Sequence, residues 1–571
     1  MPEPDAADAG EAAAPEPRPA ASVGRAGLIL ASGTIVSRVL GFVNLTVLTA
    51  TIGLNNPGAN AFAVANELPN NIFLLVAGGL LSAVLVPQIV KAGLHDDGGQ
   101  RFVNRLVTLG VVVFLVITVI AVLCAPALVS VYTIGAGGDD ALDEQGVALA
   151  VSFAYWCLPQ VFFWALFSLI SEVLNARGVF GPWAWAPVVN NVVAIGSLLA
   201  FGALFGTDPA HQDPAGWSSL EIGLFAGGIS LGVVLQTVVL ALFWRRTGLG
   251  FRPDFRWRGV GLGSTGRAAG WAFGMIVVGQ LAGIVQTNVA LTAGGGDEAS
   301  TAALRVAWTI FVLPHSLITV SLAAPYFTRM SGHARDADLG GLARDLSSAL
   351  RTVVLLTVGA GVALAAASLP FAAVFASTPK AIESTAWVMG AYLVGLASFS
   401  AIFLVHRGFY ALGDTRTPFL IQVVQSALFV TGALLVLLVP AEWTAAGLAA
   451  VTSLAGAVQA TIAALVLRRR LGGTGGGRVL RRFGTYALAA IPAAAAGLAV
   501  VALLGGMPPA PDAVLGFALS GRLPALLSVG LSGLATLAVY LLSLWLVRVP
   551  EVRDLVGTAS GVLRRRLGRS R

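Results

Sequence analysis

The stretch GLILASGTIVSRVLGFVNLTVLTATIGL, residues 27–54, carries one charge in 28 residues, Arg38. A bilayer core of ~30 Å is crossed by about 20 apolar residues of helix, so this run is long enough to span. Its single guanidinium then needs an explanation. At the centre of a spanning helix an arginine costs ~2.5–3.5 kcal/mol on insertion scales, and such residues face a bundle interior or a wet cavity. The run therefore predicts a helix with lipid on one side and a polar space on the other.

The rest of the chain extends that reading. Charged residues make up 11% of it and hydrophobic residues 56%, against roughly 25% charged in soluble domains. Mean hydropathy is +0.83. Too few charges remain to cover a water-soluble surface of this size, which excludes an ordinary soluble enzyme. Fourteen segments are apolar and long enough to cross: 27–54, 65–90, 104–133, 147–174, 180–205, 222–244, 268–293, 301–328, 348–376, 384–411, 418–440, 443–467, 483–506 and 523–547. The expected fold is all-α and polytopic, with about 14 transmembrane helices.

Charge tests the count. Lysine and arginine gather on cytoplasmic loops. With the N-terminus inside, alternate loops should be basic, and they are. KAGLHDDGGQRFVNR (91–105), WRRTGLGFRPDFRWRG (244–259) and RRRLGGTGGGRVLRR (468–482) fall on one side. LNNPGAN (54–60), GAGGDDALDEQ (135–145) and PAEW (440–443) fall on the other. Of 35 lysines and arginines, all but Arg38, Arg305, Lys380 and Arg522 lie on the inside. Both termini are expected in the cytoplasm. The net charge of +7 is then a basic cytoplasmic collar and no sign of nucleic acid.

Several functions lack their chemistry. Neither lysine follows a glycine, so there is no phosphate-binding GxxxxGK[ST] loop. Cys124 and Cys157 fall in spans three and four and suggest packing, with no disulfide framework or metal site. The five histidines are scattered; His315 and His406, the two in or at spans, read as packing residues. No catalytic residue, metal or cofactor is expected. Residues 1–22, rich in Ala, Pro and Glu, read as a disordered tail.

An internal repeat organises the spans. ELPNNIFLL in span two is echoed by VLPHSLITV in span eight, with Leu68-Pro69 and Leu313-Pro314 at corresponding places. LNARGVFGPWAWAP after span four is echoed by FYALGDTRTPF after span ten. Parallel repeats of this kind make two pseudo-symmetric lobes with a site between them near mid-membrane. The expected domains are an N-lobe over 23–246, a C-lobe over 247–470, two further helices over 471–548, and a basic cytoplasmic tail over 549–571.

Together, SRVLGFVNLTVLTATIG (37–53), NAFAVANELPNNIF (60–73), GGLLSAVLVPQ (78–88), LNARGVFGPWAWAPVVNN (174–191) and FYALGDTRTPF (409–419) resemble, in order, the signatures of the MurJ (MviN) lipid II flippases. These belong to the multidrug/oligosaccharidyl-lipid/polysaccharide exporter superfamily. The likeness runs over roughly 24–548 and is nearest to the actinobacterial branch. It implies carriage of the undecaprenyl-diphosphate-linked peptidoglycan precursor, lipid II, from the inner to the outer leaflet of the bacterial cytoplasmic membrane by alternating access. The partners it implies are lipid II, membrane lipids and proteins of cell-wall synthesis or division.

The resemblance also gives Arg38 a task. Its planar fork of donors matches phosphate oxygens and stays charged when buried, and it falls at the family's cavity arginine of span one. Elsewhere the chain departs from the family. Asn44 and Asn60 stand where many relatives carry Arg and Asp; if they face each other, an ion pair has become an amide pair. Phe73 and Leu74 replace an arginine after the Leu-Pro-Asn of span two. The cavity arginine of span eight would fall near Thr309, and Arg305, one turn away on the same face, is the expected substitute. Glu67, Asn70 and Asn71 sit at the Leu-Pro break of span two and are expected to line the cavity. Asp414 and Arg416 are expected to fix the turn after span ten, or to form an inner gate with Arg407. Spans seven and eleven lack the acidic residues that make sodium sites in some relatives. Two other readings stay open: export of another polyprenyl-linked glycan or a cationic drug, and a non-transporting scaffold for the cell-wall machinery.

Overall fold

The protein is described here by a computed structural model. It describes residues 20–77, 97, 99–134, 142–177, 179, 181–206, 211, 213–256, 266–292, 298–473, 476–506 and 515–552. The second half of predicted span two (78–90), the first 19 residues and the basic tail from 553 lie outside these residues.

Nearly all of what is described is helix. The first half contains α1 (Ala20–Ile52), α2 (Pro57–Ala77), α3 (Gln100–Leu123), α4 (Ala125–Tyr132), α5 (Glu144–Cys157), α6 (Gln160–Ala176), α7 (Gly181–Phe205) and α8 (Ser219–Leu242). The second contains α9 (Gly266–Leu291), α10 (Thr301–Pro314), α11 (Ser321–Arg335), α12 (Leu339–Ala366), α13 (Ser368–Ala372), α14 (Pro379–Val394), α15 (Leu396–Ala411), α16 (Arg416–Val436) and α17 (Thr444–Arg470). Two more follow, α18 (Gly476–Leu503) and α19 (Arg522–Leu546). Among the described residues 13 stretches are long and apolar enough to cross a membrane. The predicted span not among them is span two, where α2 is described as far as Ala77.

Without a hydrophobic drive between helices in lipid, close packing and hydrogen bonds hold the bundle. Along α1, Gly33, Ser37 and Gly41 form a small-residue stripe against α7. A Cβ on Gly33 would lie 2.8 Å from the Ala184 carbonyl oxygen, so only glycine permits that approach. Asn191 of α7 donates to the Ser37 carbonyl at 3.1 Å. In the second lobe an amide chain crosses α16 and α17: Gln459 donates to Gln422 at 2.9 Å, and Gln422 donates to Gln425 at 2.8 Å.

Span eight is the least regular. Pro314 ends α10, a π-helical turn runs over His315–Val320, and α11 continues the span. Proline removes one backbone donor and pushes on the carbonyl four residues before it; the wider π turn absorbs that mismatch. His315 sits in this turn. Its Nδ1 meets the Ser400 hydroxyl at 3.1 Å and its ring packs on Phe399 at 4.6 Å, the packing role expected of it. Cys124 and Cys157 are both free.

A connection read from sequence as only a basic loop is ordered. After α8 the chain lies along the basic end of α3. Gln100 donates to the Gly250 carbonyl at 3.2 Å, Arg252 N–H to Asn104 at 3.3 Å, and Asp254 N–H to Thr108 at 3.0 Å. Arg105 closes the contact with a 3.0 Å ion pair to Asp254. Leu249 is buried beneath it among Val103, Leu106 and Val107. The signal was Gln100, Asn104 and Thr108, a polar stripe at helical spacing in an apolar span.

Candidate functional site

The lobes meet at the end opposite the basic loops. Phe42 of α1 packs edge-on against Phe371 of α13, at 5.8 Å, and Phe375, at 5.7 Å. Hydrogen bonds among the described residues join the lobes at this end. Asn55 donates to Ser384 at 3.4 Å, Asn288 to the Val131 carbonyl at 2.9 Å, Ala302 N–H to Asn60 Oδ1 at 3.2 Å, and Arg305 Nη1 to the Ala63 carbonyl at 3.2 Å. The cleft is closed there.

Arg38 lies one turn from Phe42 on the same face of α1, toward the basic end. It is therefore on the side that faces the second lobe, one-quarter turn from the α7-facing stripe. It is exposed, and among the described residues no ion pair involves it. An exposed guanidinium with no ion-pair partner among the described residues, on this face of a spanning helix, has donors free to pair with an anion.

Arg305 is placed differently from the expectation of a free cavity cation. It reaches from α10 across the interface to the carbonyl of Ala63 on α2, and its charge also acts on Glu67, one turn further along α2. It lines a small cavity with Leu45, Leu48 and Thr49 of α1. Those residues lie 7 to 11 positions beyond Arg38, which at 1.5 Å per residue is about 10–16 Å along the helix. Arg38 and Arg305 are stacked along the cleft at two levels.

The asparagines do not form the amide pair considered from sequence. Asn60 is buried, and its Oδ1 accepts from the N–H of Ala302 in the first turn of α10. The N-cap of that helix, Ser300, makes no side-chain cap; its hydroxyl donates to the Ala290 carbonyl instead. Asn60 thus supplies the cap from the other lobe, satisfying a donor that helix ends leave orphaned. Asn44 Oδ1 is buried, with no hydrogen-bond partner among the described residues. Asn71 donates to the Tyr132 hydroxyl at 3.0 Å and hydrogen-bonds Glu67; Asn70 is part-buried beside them. Phe73 packs edge-on against Trp164 of α6 at 5.9 Å, inside the first lobe.

At the basic end, Asp414 accepts from Thr417 N–H at 3.0 Å and pairs with Arg470 of α17. Burial opposes ionisation of Asp414, but the bonds from Thr417 and Arg470 outweigh it and lower its pKa. This fixes the turn to its own lobe. Arg416 lies over the Trp271 ring at 5.8 Å, and Arg407 over the rings of Phe403, at 4.9 Å, and Phe327, at 5.3 Å. Among the described residues Arg407 and Asp414 form no ion pair with each other; Asp414 bonds within the turn and to Arg470, while Arg416 turns to Trp271. No group of three or more metal-ligating side chains occurs among the described residues.

Comparison with known proteins agrees with this architecture. The family model for lipid II flippase MurJ matches residues 49–508. A probable lipid II flippase MurJ of Rhizobium tropici is 27% identical over 459 residues, covering 78% of this chain and 80% of the relative. A lipid II flippase MurJ of Burkholderia cenocepacia is 26% identical over 400 residues, covering 69% and 74%. Among solved structures, a lipid II flippase MurJ in an inward closed conformation superposes with a TM-score of 0.67 at 18% identity, over 93% of this chain and all of that one. An inward-facing multidrug-resistance MATE transporter of the MOP superfamily does so with 0.60 at 18% identity, over 77% and 96%.

Proposed function

This chain belongs to the lipid II flippase MurJ family, and from that premise we infer that it moves lipid II across the cytoplasmic membrane by alternating access. The observation that carries the reading is the family match across both lobes, joined to an unmatched Arg38 in the cleft between them. Residues 23–246, with the connection docked on them as far as Arg256, and the residues after it to 470 act as the moving lobes, with 471–548 added to the second. The basic loops put their end of the bundle, and both termini, in the cytoplasm. The structure is then closed toward the outside.

In this state Arg38 meets the diphosphate. Its N–H groups pair with phosphate oxygens through charge-assisted bonds, which are among the stronger hydrogen bonds. Arg305, about 10–16 Å further out, cannot share that first cradle. It is the second station, reached when the anion draws it from the Ala63 carbonyl. That exchange loosens the outer closure as the substrate rises. Catalysis of bond chemistry has no support in the cleft, and the protein is a transporter. Proteins of cell-wall synthesis or division are the partners to seek.

The test is complementation. A bacterium depleted of its own flippase receives this chain or its Arg38→Ala form at matched membrane levels, and surface-exposed lipid II is measured. The wild type should rescue, and Arg38→Ala should lose at least tenfold, the ~1.4 kcal/mol of a single charge-assisted contact or more. Rescue by both forms would take Arg38 out of the anion site. Failure of a well-inserted wild type would favour another glycan lipid or a scaffold. Arg305→Lys should fall between wild type and Arg305→Ala, because charge is kept and the fork is lost.

A further inference from the structure

At the end opposite the basic loops a cavity of about 520 Å³ opens beside the closed gate, within the ~300–1,000 Å³ range of small-molecule sites. Three turns enclose it: 53–56 between α1 and α2, 376–378 before α14, and 519–521 before α19. It therefore touches both lobes and the added pair of helices. None of its described lining residues is acidic, and one, Arg522, is a cation.

Arg522 stood out in the sequence as one of four basic residues off the cytoplasmic side. Its Nε donates to the Val374 carbonyl at 3.2 Å. That bond fixes the plane of the guanidinium and leaves the two Nη groups for a ligand. Among the described residues no ion pair involves it. Leu54, Phe375, Leu515 and Leu519 supply an apolar wall beside it. The amino ends of α2, α14 and α19 converge on the same space, and each adds partial positive charge. An anion joined to hydrocarbon is the ligand that satisfies both halves of this lining.

We propose that this cavity is a site on the outer face for a phosphate or diphosphate group borne by an outer-leaflet polyprenyl lipid. The assignment of the outer face rests on the topology given above. Because the site is walled by both lobes, a bound head group bridges them in the outward-closed state. It would report arrival of a lipid phosphate outside, apart from the Arg38 level of the cleft.

The experiment uses the full chain in phosphatidylcholine nanodiscs with a photoreactive polyprenyl phosphate, and maps adducts by mass spectrometry. Adducts are expected on 373–381 or 515–522, reduced at least fivefold in Arg522→Gln and largely kept in Arg522→Lys, with thermal unfolding checking that both variants fold. Ser377→Ala, remote from any backbone role of Arg522, should weaken labelling less than Arg522→Gln. Suppression by inorganic diphosphate would assign a site for free phosphate as well as lipid. Persistence in its presence would assign the lipid head group alone. Adducts unchanged in a folded Arg522→Gln, or none on these segments, would overturn the site. A chain that flips lipid II without Arg522-dependent adducts sinks this inference alone; one that shows the adducts and flips nothing sinks the transport reading alone.

Discussion

Asn60 shows how a single side chain can be read correctly as important and wrongly as to why. In sequence it stands where relatives carry a carboxylate, and its neutrality suggested a lost ion pair. In the structure it caps a helix of the opposite lobe. A cap of this kind contributes ~0.5–2 kcal/mol. Asn60→Ala should therefore weaken the outer closure, and Asn60→Asp should keep it, because a carboxylate also accepts at a helix N-terminus. The measurement is labelling of Leu45→Cys, in a background with Cys124→Ser and Cys157→Ala, by a membrane-impermeant maleimide from outside. A rise of roughly 2- to 30-fold for Asn60→Ala, at ~1.4 kcal/mol per factor of ten, is expected. Equal rates in all three would show that the cap does not hold the gate. Arg38 stood out in the sequence because one charge in an apolar run has few physical explanations. Asn60 did not, because a cap is a relation between residues 242 positions apart, and no local pattern encodes it.

The elements were legible wherever hydropathy alone decides them. α7, predicted over 180–205, runs Gly181–Phe205, and α19, predicted over 523–547, runs Arg522–Leu546. Breaks within spans were less so: α5 and α6 part at Leu158-Pro159, and the π turn follows Pro314. The docked connection from Gly248 to Arg256 was missed because it offers mostly backbone groups to the side chains of α3, and backbone groups leave no pattern in its own sequence. Its clamp makes a definite prediction. The backbone N–H of Arg256, then the side chains of Arg105 and Arg256, hold the Asp254 carboxyl down to about 2. A depressed carboxylate contributes stability that is present above its unfolded value near 3.9 and lost as pH falls through about 2. Across pH 5–8 the clamp should therefore be constant. Asp254→Asn should speed tryptic cleavage after Arg256 in inside-out vesicles by a factor that does not change between pH 5.5 and 8. A factor that shrinks toward pH 5.5 would mean another group controls the docking. Docked in this way, the connection moves with the first lobe.

At the scale of the whole molecule, the question is what sets the balance between closed and open outer ends. The joining hydrogen bonds contribute ~0.5–1.5 kcal/mol each net, so four of them amount to a few kcal/mol. A ligand can shift such a balance only by its differential affinity for the two states. On the function proposed above, Arg305 would offer that difference, since it bonds the Ala63 carbonyl across the gate in this state and would be released to a diphosphate in the other. Locking the gate separates this account from one in which the lobes never part. Asn55 and Ser384 meet side chain to side chain, at 3.4 Å, across the lobes. In a Cys124→Ser background, Asn55→Cys with Ser384→Cys should form a disulfide under mild oxidation. Such a bond tolerates Cα separations of only about 4.4–6.8 Å, so it would hold the outer end shut. Lipid II exposure should stop on oxidation and return with reductant, while either single variant stays active throughout. Full transport by the oxidised pair would mean that substrate leaves by a path that does not part these turns, and the exchange at Arg305 would lose its role. Transport that stops and returns would make the outer gate an obligatory step, with the arginine that closes it also the one positioned to release it.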